Sequence, residues 1–165
     1  MQAAGPRLAA CGLDVVRFDF PYRSRGSRRP DPMPVLQAAY AEAVQQARRE
    51  YGAKRLILGG RSMGGRVASL LAAGGFACDG LLLFAYPLHP EGKPEKLRDA
   101  HLPSLRVPVL CINGTRDPLC RRELMDRVVG TVTVPWRMVW LEGARHSFDE
   151  VPQAEIRAWI ASLEC

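Results

Sequence analysis

Long apolar runs are missing from this chain. None reaches the roughly 18 residues that a membrane-crossing helix needs, so no spanning helix is expected. The opening MQAAGPRLAACG has no basic stretch followed by an apolar core, which excludes a secretory leader there. Cysteine is sparse, and the five present, at 11, 78, 111, 120 and 165, are an odd number. They form no C-x-x-C pair and no cysteine/histidine group with zinc spacing, which leaves neither a disulfide framework nor a metal site to expect. Free thiols in a reducing compartment follow, and with them a cytoplasmic location. Aromatic residues make up only 7% of the chain and none interleaves with the basic stretch Arg23–Arg29, so nucleic acid is not the expected partner. Internal repeats and low-complexity tracts are also missing.

What is present suits one folded domain over residues 1–165, since 47% of the residues are hydrophobic and this length can bury a core. The net charge is +6, carried mostly by scattered arginine.

The chain is organised around Lys54–Ala73, KRLILGGRSMGGRVASLLAA. Leu56-Ile57-Leu58 is too short for a helix and reads as a buried parallel strand. Val67, Leu70 and Leu71 among alanines read as a buried helix. Between them lies Gly60-Arg61-Ser62-Met63-Gly64, a G-x-S-x-G motif at a strand-to-helix turn. A serine hydroxyl is a weak nucleophile and must be held where a base can reach it. A sharp turn does this, and it brings backbone so close that Gly60 and Gly64 are expected to be small for that reason. Gly65 gives the helix room to pack on the sheet. The helix N-terminus directs free N–H groups at the site, which makes the Met63 N–H a candidate oxyanion donor. The glycine spacing matches neither a P-loop nor a dinucleotide-binding turn. The plain alternative is a glycine-rich turn with an incidental serine.

Before this stretch, Met1–Cys11 reads as the end of a helix capped by Gly12, and Leu13–Phe20, LDVVRFDF, as a strand stopped by Pro21. Tyr22–Pro34 reads as a polar loop. Its Arg23, Arg25, Arg28 and Arg29 suggest either a basic loop for a phosphate or nucleic acid or, as the preferred reading, a solvated loop. Val35–Tyr51 repeats apolar residues at three and four, giving an amphipathic helix. After the organising stretch, Gly80–Tyr86 is a buried strand and Pro87–Val107 a long proline-rich connection. His89 and His101 lie in that connection; either could be catalytic, but neither follows a strand directly, and surface or lid roles are preferred. Pro108–Asn113 and Trp136–Leu141 are strands, and Arg121–Val129 and Val151–Leu163 are helices.

Strands alternating with helices imply a three-layer α/β sandwich, with a mainly parallel sheet and helices on both faces. In such sheets ligands bind beyond the carboxyl ends of the strands. Ser62, Asp117 and His146 each follow a predicted strand, so all three fall at that end. Asp117 before Pro118 also suits a helix cap, and a histidine on a loop is often mere polar surface. The order Ser…Asp…His, however, is that of α/β hydrolases.

The stretches VVRFDFPY, GGRSMGGRVAS, YPLHPEGKPEKLR, LPSL, NGTRDPL and GARHSF, in that order, cover most of the chain. They resemble a small α/β hydrolase of the dienelactone-hydrolase-like group, most similar to the testis-expressed protein 30 and NSL-complex subunit 3 hydrolase-like domains. The resemblance implies the triad Ser62, Asp117 and His146. Ester or thioester chemistry on a small acyl substrate fits better than lactone opening, since dienelactone hydrolases proper have cysteine where this chain has Ser62. The chemistry needs neither metal nor organic cofactor. The rival expectation is a catalytically silent hydrolase-like domain that binds a protein. The resemblance also implies a strand and an H-G loop ahead of the first helix, supplying a second oxyanion N–H. Neither is found in the sequence, so the first strand of the fold is expected to be missing, between Leu13–Phe20 and Arg55–Leu58, and Met1 to be an internal methionine of a longer protein.

Overall fold

The computed structural model describes residues 4–163. A four-stranded parallel sheet forms its middle, with strands β1 (Ile57–Arg61), β2 (Gly80–Phe84), β3 (Val109–Gly114) and β4 (Trp136–Leu141) side by side in chain order. Seven further elements surround it: helices α1 (Ala4–Ala9), α2 (Pro21–Ser24), α3 (Met33–Tyr51), α4 (Met63–Ala73), α5 (Arg122–Val129) and α6 (Gln153–Ser162), and a 3₁₀ turn at Leu102–Ser104.

Alternation along the central strands builds two cores, because successive strand side chains face opposite ways. Leu81, Leu83, Val109 and Cys111 point to one face, where they meet Leu36 and Tyr40 of α3, Val67 and Ala68 of α4, and Met125 and Val128 of α5. Leu82, Phe84, Leu110 and Ile112 point to the other and meet Ile156 and Trp159 of α6. The expected three layers are therefore present. β2 and β3 are buried on both faces, which is why they read as unbroken apolar runs.

Leu13–Phe20 is not a strand, contrary to expectation. It makes no ladder with β1 or with any other described segment. A strand exists only where a neighbour takes up its N–H and C=O groups, and β1 pairs with β2 alone. Val16 and Phe18 are consequently 53% and 38% exposed. The segment is held instead by rings, with Phe18 and Phe20 packed against Tyr40. Tyr40 also closes part of the open edge of β1. Its hydroxyl donates to the Gly59 carbonyl at 2.7 Å and accepts from the Gly59 N–H at 2.9 Å. Burial pushes this phenol up to about 12, so it remains a neutral donor.

Smaller differences follow local chemistry. Pro21 starts the short helix α2 instead of simply ending a strand, and α3 begins at Met33, with a proline in its first turn. The first helix ends at Ala9, short of the expected Cys11, and a turn carries the chain on to Gly12 at φ +89°; residues 1–3 of the expected helix lie outside the described residues. His89 is buried, not at the surface. Its Nε2 accepts the Arg121 N–H at 3.1 Å, which ties the long connection to the start of α5. Cys11, Cys78, Cys111 and Cys120 are free thiols, and Cys165 lies outside the described residues. No described helix is long and apolar enough to cross a membrane.

Candidate active site

Ser62 stands between β1 and α4 at φ 51°, ψ −116°. A side-chain-bearing residue there is strained and persists only because its surroundings fix it. β1 is held through Ser62 N–H donating to the Phe84 carbonyl at 2.8 Å, and α4 starts at once, with Arg66 N–H bonded to the Ser62 carbonyl at 3.0 Å. Two glycines make the crossing possible. A Cβ on Gly60 would meet the Gly64 carbonyl carbon at 2.7 Å and the Gly65 nitrogen at 2.8 Å, and one on Gly65 would meet the Gly60 oxygen at 2.8 Å. Gly64, expected to be small for the same reason, faces open space instead, so the close pair is Gly60 with Gly65. Gly60→Ala is therefore expected to cost about 2–3 kcal/mol, since backbone cannot give way as side chains do. That should appear as a melting temperature lower by roughly 5–10 °C, whereas Gly64→Ala should leave it nearly unchanged.

Asp117 and His146 come to the same sheet end from the loops after β3 and β4. Ser62 Oγ lies 2.8 Å from His146 Nε2, and His146 Nδ1 lies 2.8 Å and 3.0 Å from the two Asp117 carboxylate oxygens. The Asp117 side chain is fully buried and that of His146 is 24% exposed. Asp117 does not cap a helix, since α5 starts five residues later. Its oxygens take the Leu119 N–H at 2.9 Å and the Asn113 amide at 3.5 Å, besides His146. The two loops are bound to each other: Arg116 N–H donates to the Ala144 carbonyl and Gly143 N–H to Thr115 Oγ1. Gly114 packs so tightly on Ala144 that no Cβ fits between them. Met63 is the first residue of α4, and its N–H belongs to the first turn, which has no partner within the helix.

Two supporting residues were not singled out in the sequence. Arg61, beside the serine, donates to the His146 carbonyl at 3.1 Å and to that of Phe148, and its guanidinium lies 4.4 Å from the centre of the Phe148 ring. It fastens the histidine loop to the elbow. Asn113 is fully buried and clamps Tyr86, accepting its N–H at 3.0 Å and donating to its carbonyl at 3.2 Å. Arg61 is visible in the sequence as the residue between two functional ones, but its partners are 85 and 87 positions away. Arg25, in the basic loop, forms an ion pair with Asp31 at 2.6 Å, which leaves that loop less cationic than its sequence suggests. Among the described residues no cluster could hold a metal ion.

His101 is not part of this group. Its Nε2 lies 2.8 Å from Ser69 Oγ and 3.3 Å from the Tyr86 hydroxyl. Burial, helped by the Arg66 charge and opposed by Asp99, pulls its pKa from 6.5 down to about 4. Between those two values the unfolded chain binds a proton at this histidine and the folded chain does not. Stability therefore falls as pH drops through that window. The expected result is acid sensitivity between about pH 6.5 and 4 that His101→Gln reduces, read from denaturant midpoints against pH.

A model of the alpha/beta hydrolase domain family matches residues 1–158. Solved structures share the fold at low identity. An alpha-beta serine hydrolase homologue from Coxiella burnetii superposes with a TM-score of 0.74 at 20% identity, over 98% of this chain and 74% of that one. An esterase from Pyrococcus furiosus gives 0.75 at 17%, over 99% and 73%. A serine hydrolase without a lid from Xanthomonas campestris gives 0.70 at 20%, over 98% and 70%.

Proposed function

The chain belongs to the alpha/beta hydrolase domain family, and we propose that it is a serine hydrolase cleaving a small carboxylic ester or thioester through Ser62, His146 and Asp117. The observation that carries this reading is the unbroken line of contacts from Ser62 Oγ through His146 to a buried carboxylate, each 2.8 Å long, starting from a serine held at positive φ. Neutral His146, with its proton on Nδ1 donated to Asp117, presents Nε2 as the acceptor of the serine proton. Ser62 Oγ then attacks the carbonyl, and the oxyanion is met by the Met63 N–H. His146 returns the proton to the departing alcohol or thiol, leaving an acyl-serine. Water, losing its proton to His146, hydrolyses that intermediate, and the acid departs. No step calls for a metal or an organic cofactor. The motifs also support kinship with the dienelactone-hydrolase-like group and the testis-expressed protein 30 and NSL-complex subunit 3 domains, and a cytoplasmic location suits the free thiols.

The test is covalent capture. A fluorophosphonate probe should modify the protein once, with the adduct on the peptide that holds Ser62, and the protein should turn over p-nitrophenyl acetate. A silent, protein-binding member of the fold would show neither adduct nor turnover above that of the Ser62→Ala control.

A further inference from the structure

Beside the serine lies a second group of polar side chains that this chemistry does not use. Arg66 is on the first turns of α4, four residues after Ser62 and three before Ser69, so the three share one side of the helix. Four residues of helix rise amount to about 6 Å, and helix side chains lean toward the N-terminus, here toward Ser62. Arg66 Nε is buried and has no hydrogen-bond partner. A buried donor left without an acceptor is costly and calls for an explanation.

No described residue accepts a hydrogen bond from it. Ser69 Oγ is engaged with the Arg66 carbonyl and with His101, and the Tyr86 hydroxyl with Ser69, His101 and the Arg98 carbonyl. The neighbouring cation is Arg98, whose N–H holds the Leu88 carbonyl. Arg98 is also partly buried, and its guanidinium forms no hydrogen bond or ion pair among the described residues. The charge of Arg66 reaches it, and burial with that charge pushes the Arg98 pKa down. Asp99 is the carboxylate whose field enters the group, and His101 stays neutral there. Two guanidinium charges against one carboxylate leave a surplus of one positive charge. Tyr86, two residues beyond β2, puts the group at the carboxyl end of the sheet, where Ser62 also lies.

We propose that Arg66 and Arg98 recognise a carboxylate on the substrate, so that the preferred ester or thioester carries a second, anionic carboxyl group a short acyl chain away from the scissile carbonyl. The proposal rests on the hydrolase reading above and narrows its substrate class. Guanidinium is suited to the role because its planar donors match the two carboxylate oxygens.

The experiment compares mono-4-nitrophenyl succinate with the uncharged 4-nitrophenyl pentanoate. The ratio of their kcat/KM values should favour the anionic ester by roughly tenfold to a hundredfold, the range for hydrogen bonds to charged groups. Arg66→Gln and Arg98→Gln should each pull the ratio toward one, chiefly through KM of the anionic ester, and Arg66→Lys should retain part of it. Raising the salt concentration should lower the ratio in the wild type. A wild-type ratio at or below one, or a ratio the same in folded Arg66→Gln and Arg98→Gln as in wild type, overturns the proposal. Binding of succinanilic acid, whose amide resists hydrolysis, is measured beside it by calorimetry, with butyranilide as the neutral control. Arginine-dependent binding of the acid by a protein that hydrolyses neither ester would sustain the carboxylate site and sink the hydrolase reading. Ester turnover without charge preference would do the reverse.

Discussion

Ser62→Ala is expected to lower kcat for p-nitrophenyl acetate by roughly 10⁴–10⁶-fold, to the level left by binding and the oxyanion donor alone. Fluorophosphonate labelling should vanish with it. The substitution is a clean test because so little else changes. Alanine at φ 51° is as strained as serine, since the strain comes from Cβ and not from the hydroxyl. The hydroxyl contacts His146, which is partly exposed, so water can take up the vacated Nε2. The melting temperature should therefore stay within about 2 °C of wild type. Labelling that survives Ser62→Ala would place the nucleophile elsewhere and end the present reading.

The contrast between this site and the first twenty residues shows where the sequence is informative. β2 and β3 are buried on both faces, so their apolar runs have one sensible reading, and the fold class follows from these and the other strands alternating with helical patterns. Ser62, Asp117 and His146 are legible because each sits just after a strand, and a parallel sheet brings those positions to one end. Leu13–Phe20 has the β-branched and aromatic residues that favour a strand and yet is none, because composition reports a preference, whereas a ladder requires a partner. With β1 paired on one side only, the preference of Leu13–Phe20 goes unfulfilled. His89 departs from its expected surface position for a related reason. Its connection is rich in proline and charge, but Leu88, Leu102 and Leu105 within it are buried, and they carry His89 inward to Arg121. The roles of Arg61 and Arg66 depend on how the loops return over the elbow, which no local pattern encodes. Gly64 shows the opposite error: the motif contains it, but space at the turn is limited at Gly65 instead.

Asp117→Asn is expected to reduce kcat by roughly 10⁴-fold with a much smaller change in KM. The reason lies in who donates to the carboxylate. One oxygen takes the Leu119 N–H and the other the Asn113 amide, while His146 Nδ1 lies within 3.0 Å of both. Every neighbour is a donor, so the site wants two acceptors, and an amide has only one. If the new NH₂ takes the place of Oδ2, it stands at the shorter of the two contacts to His146 Nδ1, 2.8 Å, and donates there. That drives the imidazole proton to Nε2, where it points at Ser62 and cannot accept from it. If the NH₂ takes the place of Oδ1, it faces the Leu119 N–H, and a buried donor is left unsatisfied at a cost of about 1–3 kcal/mol. Either orientation removes something: the first the base, the second the fit of the loop that carries residue 117. Fluorophosphonate labelling should slow in parallel with turnover, since both need the serine proton removed. The protein should still fold, because Arg116–Ala144 and Gly143–Thr115 continue to hold the two loops together. A fall in kcat of less than tenfold in a folded Asp117→Asn protein would show that this carboxylate does not orient His146, and would leave Ser62 and His146 as a dyad.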